Sequence, residues 1–440
     1  LVNGLGYAVD PIGHIRRFAR RHGTISSPRF PGMGPIVSLA DPELVRQVFT
    51  GDAATFHAGE ASRPVLEPTL GATSVLTLDE EPHMRQRKLL LAPFHGENVR
   101  RWEATIRAVA ESDIAGWPVG RPFALHDHTR AITLEVILRA VFGVREAARF
   151  ERGRALVAEF ANRAHPISMF PVTRRDLGPL SPWARFKRAR DALDAFLYEE
   201  IAQRRAAPDL EERDDVLSLL LRATDEADQP LTRQELRDEL VTVLGAGHET
   251  TATAVAWAFE RLLRTPRVLD RLILSLPEGD AYLDATVKET LRMRPVVTDV
   301  GRRLTREIEL ADYRIPAGTL VMPAITAIHF RADLYPEPDE FRPERFLGRA
   351  PEPYTWIPFG GGVRRCIGAS FAQFEMRVIM RTILERAQLR AVSPRSERSK
   401  LRNVTAAPAH GCRVELERML PERQQSTTAP AATAELTGSL

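Results

Sequence analysis

Apolar residues recur at helical spacing from about Leu78 to Arg292, as in 136–142 (VILRAVF), 192–197 (ALDAFL) and 216–221 (VLSLLL). The β-like pieces are short and lie mostly outside that stretch: 36–39 (IVSL), 309–310 with 313–318 (YRIPAG), and 320–322 (LVM). This pattern predicts a mainly α fold with a small β part. The longest periodic run begins at Leu231, where Thr232 and Glu235 fit a capping box, and continues without proline to about Arg264. A helix of that length, about twice the usual or more, is expected to cross the middle of the molecule. Its centre, 241–247 and 252–259, is apolar on nearly every side and is expected to be buried.

Inside that run stands Gly245-Ala246-Gly247-His248-Glu249-Thr250-Thr251, which opposes both helix propensity and burial. Each glycine costs about 1 kcal/mol relative to alanine in a helix, and an unpaired buried carboxylate costs several more. Glycine followed by threonine predicts a local kink or widened turn, in which a hydroxyl draws a carbonyl out of the ladder and leaves room for water or a ligand. Close helix packing on glycine with a satisfied core glutamate explains the same residues. A zinc-protease helix is excluded, because HExxH needs histidine where Ala252 stands.

The second unusual segment is 354–368 (YTWIPFGGGVRRCIG), followed by helical spacing through Phe371, Phe374, Met376, Ile379 and Ile383. Three consecutive glycines allow the backbone to approach a flat ligand closely. Cys366 falls just before a predicted helix start, and that position, with Arg364 and Arg365, is expected to favour a thiolate. Such a thiolate can act as nucleophile, redox thiol or metal ligand. The stretch lacks the GK[ST] of a phosphate-binding loop.

Composition narrows the classes further. With 44% hydrophobic and 27% charged residues among 440, the chain is expected to fold around a large core. A net charge of +3 does not suggest nucleic acid as a partner. Two cysteines, Cys366 and Cys412, exclude a four-cysteine metal site. No run of about 18 apolar residues spans a membrane and the first twenty residues do not resemble a signal peptide, so a soluble cytoplasmic protein is expected. The chain opens on Leu1 rather than Met, leaving room for a short missing N-terminus. One domain over 1–420 and a disordered tail over 421–440 are expected, the tail being rich in small polar residues (QQSTTAPAATAELTGSL).

Phe359-x-x-Gly362-x-Arg364-x-Cys366-x-Gly368 matches every fixed position of the heme-binding signature of the cytochrome P-450 superfamily. Ala246-Gly247-x-Glu249-Thr250-Thr251, Glu289-x-x-Arg292 and Pro343-Glu344-Arg345-Phe346 follow that family's order. Spacing alone proves little for ExxR, since Glu146/Arg149 and Glu151/Arg154 share it and read as solvated pairs. From about Asp41 to Glu417 the chain resembles this family of heme-thiolate monooxygenases, in its soluble bacterial type.

The resemblance implies the cytochrome P-450 fold, with the long helix crossing heme b (iron protoporphyrin IX), and Cys366 as thiolate ligand of the iron. Phe359 would pack on the sulfur, Gly362 and Gly368 would permit close approach, and Ala246 would face the heme. His83, Arg87, Arg364 and Arg302 would hold its propionates, with Arg303 a one-residue rival for the last of these. Glu249 and Thr250 would be the acid–alcohol pair that relays protons during O2 activation. Glu289, Arg292 and Arg345 would form a buried charge network. Val75, Leu76, Val243, Ala246, Val296 and Val297 are candidate walls of a cavity for a small apolar organic substrate.

Lacking an attached flavin or iron–sulfur domain, the chain would draw NAD(P)H electrons through a separate ferredoxin or flavodoxin and its reductase. Arg85, Lys88, Arg100, Arg101 and Arg365 are candidates for a basic docking face. A peroxide-driven peroxygenase and a non-catalytic heme-binding recruitment protein are the alternatives. The presence of both Glu249 and Thr250 speaks for O2. Cys412 is expected in the last hairpin, without a role.

Overall fold

The computed structural model describes all residues except 1, 31, 92, 93, 95, 96, 144, 145, 170 and 422–440, so the predicted tail lies outside the described residues apart from Pro421. The predicted long helix spans Arg233–Leu262. Thr232 caps it as the sequence suggested: its Oγ1 accepts from Glu235 N at 3.2 Å, and its own N donates to Glu235 Oε2 at 2.7 Å. Two otherwise orphaned amides are thereby satisfied. The helix packs chiefly along Leu125–Phe142 and also against Ala281–Met293, Ala369–Arg386 and the strand Thr405–Pro408. Burial on several sides explains its apolar circumference: Leu236, Leu240, Leu244, Val255, Trp257 and Phe259 are all in the core. The Trp257 indole keeps a partner there, donating to Ala406 O at 2.7 Å.

A five-stranded sheet forms a second layer, in the order Ile25–Ser26, Ile36–Leu39, Leu320–Pro323, Arg302–Leu304, Phe56–His57. Ile36–Leu39 runs parallel to Leu320–Pro323, and the other neighbours are antiparallel. The predicted pieces at 308–310 and 313–315 pair as a hairpin. No side-chain pattern announces the two-residue strands at 25–26 and 56–57, because elements that short are defined by backbone pairing.

Three local expectations need correction. Cys412 lies in the connection between Thr405–Pro408 and Arg413–Met419, buried and with positive φ, rather than within the hairpin. Arg149 reaches across to the buried Glu200 instead of pairing with Glu146, whereas Glu151 and Arg154 do form the exposed pair expected. The central helix stays α-helical through Gly245–Thr251, without a widened turn.

Candidate active site

The Cys366 loop is fixed by its own backbone and by neighbours distant in sequence. Cys366 N donates to Phe359 O at 2.9 Å, closing the loop, and Arg365 N donates to Gly362 O at 3.1 Å. Gly362 has φ +61°, and a Cβ there would fall 1.8 Å from Phe49 O, so only glycine fits that turn. Phe359 stands half-buried, edge-on to Trp356 at 6.0 Å. Ile357 N donates to His329 Nε2 at 2.9 Å, and the other ring nitrogen of His329 lies 3.1 Å from Arg292 O. Burial lowers His329 to about 3, so its neutral ring can accept from Ile357 while donating to Arg292.

Arg292 is fully buried and spends its guanidinium on Glu289 Oε2 at 2.7 Å, Glu289 Oε1 at 2.8 Å and His329 O at 2.8 Å. Glu289 Oε1 also accepts from Arg342 N at 2.9 Å and lies 3.4 Å from Arg345 Nε. The structure thus brings Glu289, Arg292 and Arg345 together and ties them to the Cys366 loop through His329.

Cys366 begins the approach to the helix Ala369–Arg386, two residues before its N-cap Gly368. Its side chain is solvent-reachable, yet protein surrounds it closely enough that desolvation raises its pKa. The Gly368 amide, Arg365 and Arg87 oppose that rise without overcoming it. A bound metal cation would favour the thiolate, since a coordinated thiol is deprotonated. Arg364 does not assist, because it turns to Asp79 Oδ1 at 2.8 Å, Leu78 O at 2.6 Å and Val75 O at 3.2 Å.

Beside this loop lies a concentration of positive charge. His83, Arg87, Arg302 and Arg364 interact electrostatically with one another or with common neighbours, and Asp79 is the carboxylate facing them among the described residues. Desolvation lowers Arg302 and Arg364 to about 10, and burial together with Arg364 and Arg87 lowers His83 to about 3. Arg302 is buried and donates to Gly301 O, whereas Arg303 reaches the exposed Gly318 O at 2.7 Å. The alternation of the Arg302–Leu304 strand decides between them: Arg302 faces in. Neither Arg87 nor Arg302 has a carboxylate partner among the described residues.

On the central helix, Gly245 and Ala246 are exposed although nearly all their helical neighbours are buried. That corrects the expectation of burial throughout and leaves this turn of the helix open. Gly247 has the packing role weighed for it: a Cβ there would lie 2.9 Å from Ile137 Cδ1, whereas one at Gly245 would make only an ordinary contact with Leu70 Cδ2 at 3.9 Å. Thr250 Oγ1 donates to Ala246 O at 2.6 Å, adding a bond to that carbonyl without interrupting the helix. Glu249 is buried between Arg130 Nε, 2.9 Å from Oε2, and Arg402 Nε, 2.9 Å from Oε1. Burial would raise its pKa, but Arg130, Arg402 and His248 outweigh that and lower it. The Arg130 contact is a hydrogen bond; Arg402 lies off the hydrogen-bond direction, leaving Oε1 without an aligned donor.

Of the candidate cavity walls, Val75 and Val296 are buried, Val243 and Val297 half-buried, and Leu76 is 40% exposed. The proposed basic face changes character. Arg85 binds Asp225 and Glu235, Lys88 binds Glu226, and Arg101 binds Asp214, so these charges are already paired intramolecularly. Sequence reasoning missed Asp79, Arg130, Arg402, Glu239 and His329, whose partners are set by packing.

The residues fit a heme. Cationic side chains in excess over one carboxylate suit two propionates, and the Cys366 sulfur is an accessible soft donor. A Cβ at Gly368 would meet no atom of the chain within 4 Å, so the turn after Cys366 leaves space for a bound group. The cytochrome P450 family model matches residues 2–411. The chain belongs to the cytochrome P450 family. Among its relatives, cytochrome P450 135B1 of Mycobacterium bovis is 43% identical over 98% of this chain and 92% of the relative. Cytochrome P450 138 of Mycobacterium tuberculosis is 38% identical over 95% and 94%. Among solved structures, the heme domain of cytochrome P450DA superposes with TM-score 0.82 at 22% identity, covering 95% of each chain. A cytochrome P450 of Thermus thermophilus superposes with TM-score 0.73 at 27% identity, over 93% of this chain and 99% of the other.

Cytochrome P450 enzymes are heme-thiolate monooxygenases, oxidoreductases that use O2 and generally receive electrons from partner proteins. Among the described residues, no helix is long and apolar enough to cross a membrane.

Proposed function

We propose that this cytochrome P450 inserts one oxygen atom of O2 into a small apolar organic substrate, drawing NAD(P)H electrons through a separate ferredoxin or flavodoxin and its reductase. The observation that carries this reading is the convergence of the accessible Cys366 with Arg87, Arg302 and Arg364, beside a central helix bearing Glu249 and Thr250. When bound, the heme supplies one-electron redox chemistry and dioxygen activation.

The chain supplies ligation, orientation and protons. Cys366 Sγ would be the thiolate ligand of the iron, an electron-rich donor suited to dioxygen activation. Arg87, Arg302 and Arg364 would hold the propionates, with the neutral His83 beside them. Glu249 Oε2 is fixed by Arg130, and Oε1, 2.9 Å from Arg402 Nε but without an aligned hydrogen bond, would be the oxygen that takes up and releases a proton. Thr250 Oγ1 already donates to Ala246 O and has lone pairs left to order a water beside Ala246. The apolar candidates Val75, Val243, Val296 and Val297 would exclude bulk water and select an apolar substrate.

The test begins with the reduced carbon-monoxide spectrum of chain expressed with hemin. A red-shifted Soret band that is lost in Cys366→Ala is expected. Absence of any Soret band, or an unaltered one in Cys366→Ala, would overturn the reading. With a surrogate ferredoxin and reductase, substrate-dependent O2 uptake and product are expected; turnover with peroxide alone would replace O2 by peroxygenase chemistry.

A further inference from the structure

The segment that carries Val75 is bound to the central helix residue by residue. Thr73 N and Oγ1 both donate to Asp238 Oδ2, at 3.0 and 2.7 Å. Ser74 Oγ lies 2.7 Å from Thr242 Oγ1, and Val75 N donates to Glu239 Oε1 at 2.7 Å. Gly71 makes the approach feasible: its φ is +103°, and a Cβ there would fall 2.1 Å from Asp238 Oδ2. From the other side, Arg364 donates to Val75 O and Leu78 O. The two peptide groups of Val75 are therefore held by different elements, its N–H by the central helix and its carbonyl by the Cys366 loop.

Glu239 is the costly member of this set. It is fully buried, no cation pairs with it among the described residues, and its Oε2 has no hydrogen-bond partner there. A carboxyl placed so is unfavourable for folding by itself. It lies 4, 7 and 11 residues before Val243, Ala246 and Thr250, which puts all four on one face of the helix. Ala246 on that face is exposed and Thr250 half-buried, so Glu239 shares the helix stripe that opens at Ala246.

We propose that Glu239 is a positioning residue for substrate selection: it fixes Val75 as a wall of the cavity and holds that wall in register with Arg364. The inference rests on the heme-thiolate reading. It names which contact of the chain sets the fit of a ligand at the far wall, as distinct from binding at the iron. Glutamine retains an oxygen able to accept from Val75 N, whereas leucine and alanine do not.

The experiment uses the full-length holoprotein, with imidazole and 4-phenylimidazole titrated by Soret shift. Imidazole requires the iron and little else, while the phenyl group must meet the cavity wall. Glu239→Leu is expected to weaken 4-phenylimidazole about tenfold, the loss of one hydrogen bond to a buried acceptor, and to leave imidazole unchanged. Glu239→Gln is expected to restore wild-type affinity. Amide hydrogen exchange at 73–78 should rise in Glu239→Leu and stay low in Glu239→Gln. Should leucine prevent folding, Glu239→Ala provides the same comparison.

Equal weakening of both probes, or unchanged 4-phenylimidazole affinity with unchanged exchange at 73–78, would overturn the proposal. Failure of the heme reading looks different, since the wild-type chain would then show no Soret response to either probe.

Discussion

Removing Arg292 is the sharpest test of how the fold supports the Cys366 loop. Arg292 and Glu289 are both fully buried and joined by two charge-assisted hydrogen bonds of 2.7 and 2.8 Å. Arg292→Met deletes both and leaves the Glu289 carboxylate with the Arg342 amide and with Arg345 at 3.4 Å. Breaking a buried pair from one side costs about 3–5 kcal/mol. His329 O and Pro338 O also lose a donor, each worth about 1 kcal/mol or more when buried. The sum, about 5–7 kcal/mol, matches the whole stability of a marginal protein.

The double variant Glu289→Leu/Arg292→Met removes both charges, and a buried pair roughly breaks even against apolar replacements. It should therefore be more stable than Arg292→Met alone. Urea unfolding followed by circular dichroism gives the global term, and the Soret band reports the loop, which hangs from the same network through His329 and Ile357. A loss below about 1 kcal/mol in Arg292→Met, the size of an ordinary substitution, would refute the reasoning. So would a double variant less stable than the single.

Glu249→Gln and Thr250→Ala should lower product formation about a hundredfold, the lower range for a general acid, with the reduced carbon-monoxide band intact; coupled turnover at the wild-type rate would remove both from proton delivery. Arg302→Leu should weaken hemin retention about tenfold, as expected for a charged hydrogen bond, while Arg303→Leu leaves it unchanged; hemin transfer to apomyoglobin measures both. His329 is lowered from 6.5 to about 3, so in that interval the unfolded chain binds a proton that the folded chain refuses. Stability should then be full above pH 6.5 and fall with acid toward about pH 3, by at most about 1.4 kcal/mol per pH unit. Urea midpoints across pH should show a shallower slope in His329→Gln, and an identical slope would reject the assignment.

Much of the site was legible along the chain because the relevant interactions are local. The capping box at Thr232 and Glu235 spans three residues, and the Cys366 loop closes on Phe359 within its own motif. Glycine at 362 could be read as a requirement for close approach, although its neighbour proved to be the Phe49 backbone. Arg302 and Arg303 were equivalent in sequence, since a one-residue shift changes nothing in composition; the pleat of the strand separated them. Gly245–Thr251 announced chemistry but not its geometry, because an unbroken helix and a kinked one can share those residues.

The fold class, the long central helix and the sulfur at Cys366 were determined by the sequence itself, since periodicity, caps and motif spacing act between near neighbours in the chain. The partners of Glu249, Arg149 and Glu239 were decided by the tertiary structure. Arg130 and Arg402 come from opposite sides of Glu249 in the chain, and no local pattern records which helix faces meet. Ion pairing and desolvation depend on distance and dielectric in the folded state, and both quantities come into being only when the elements pack.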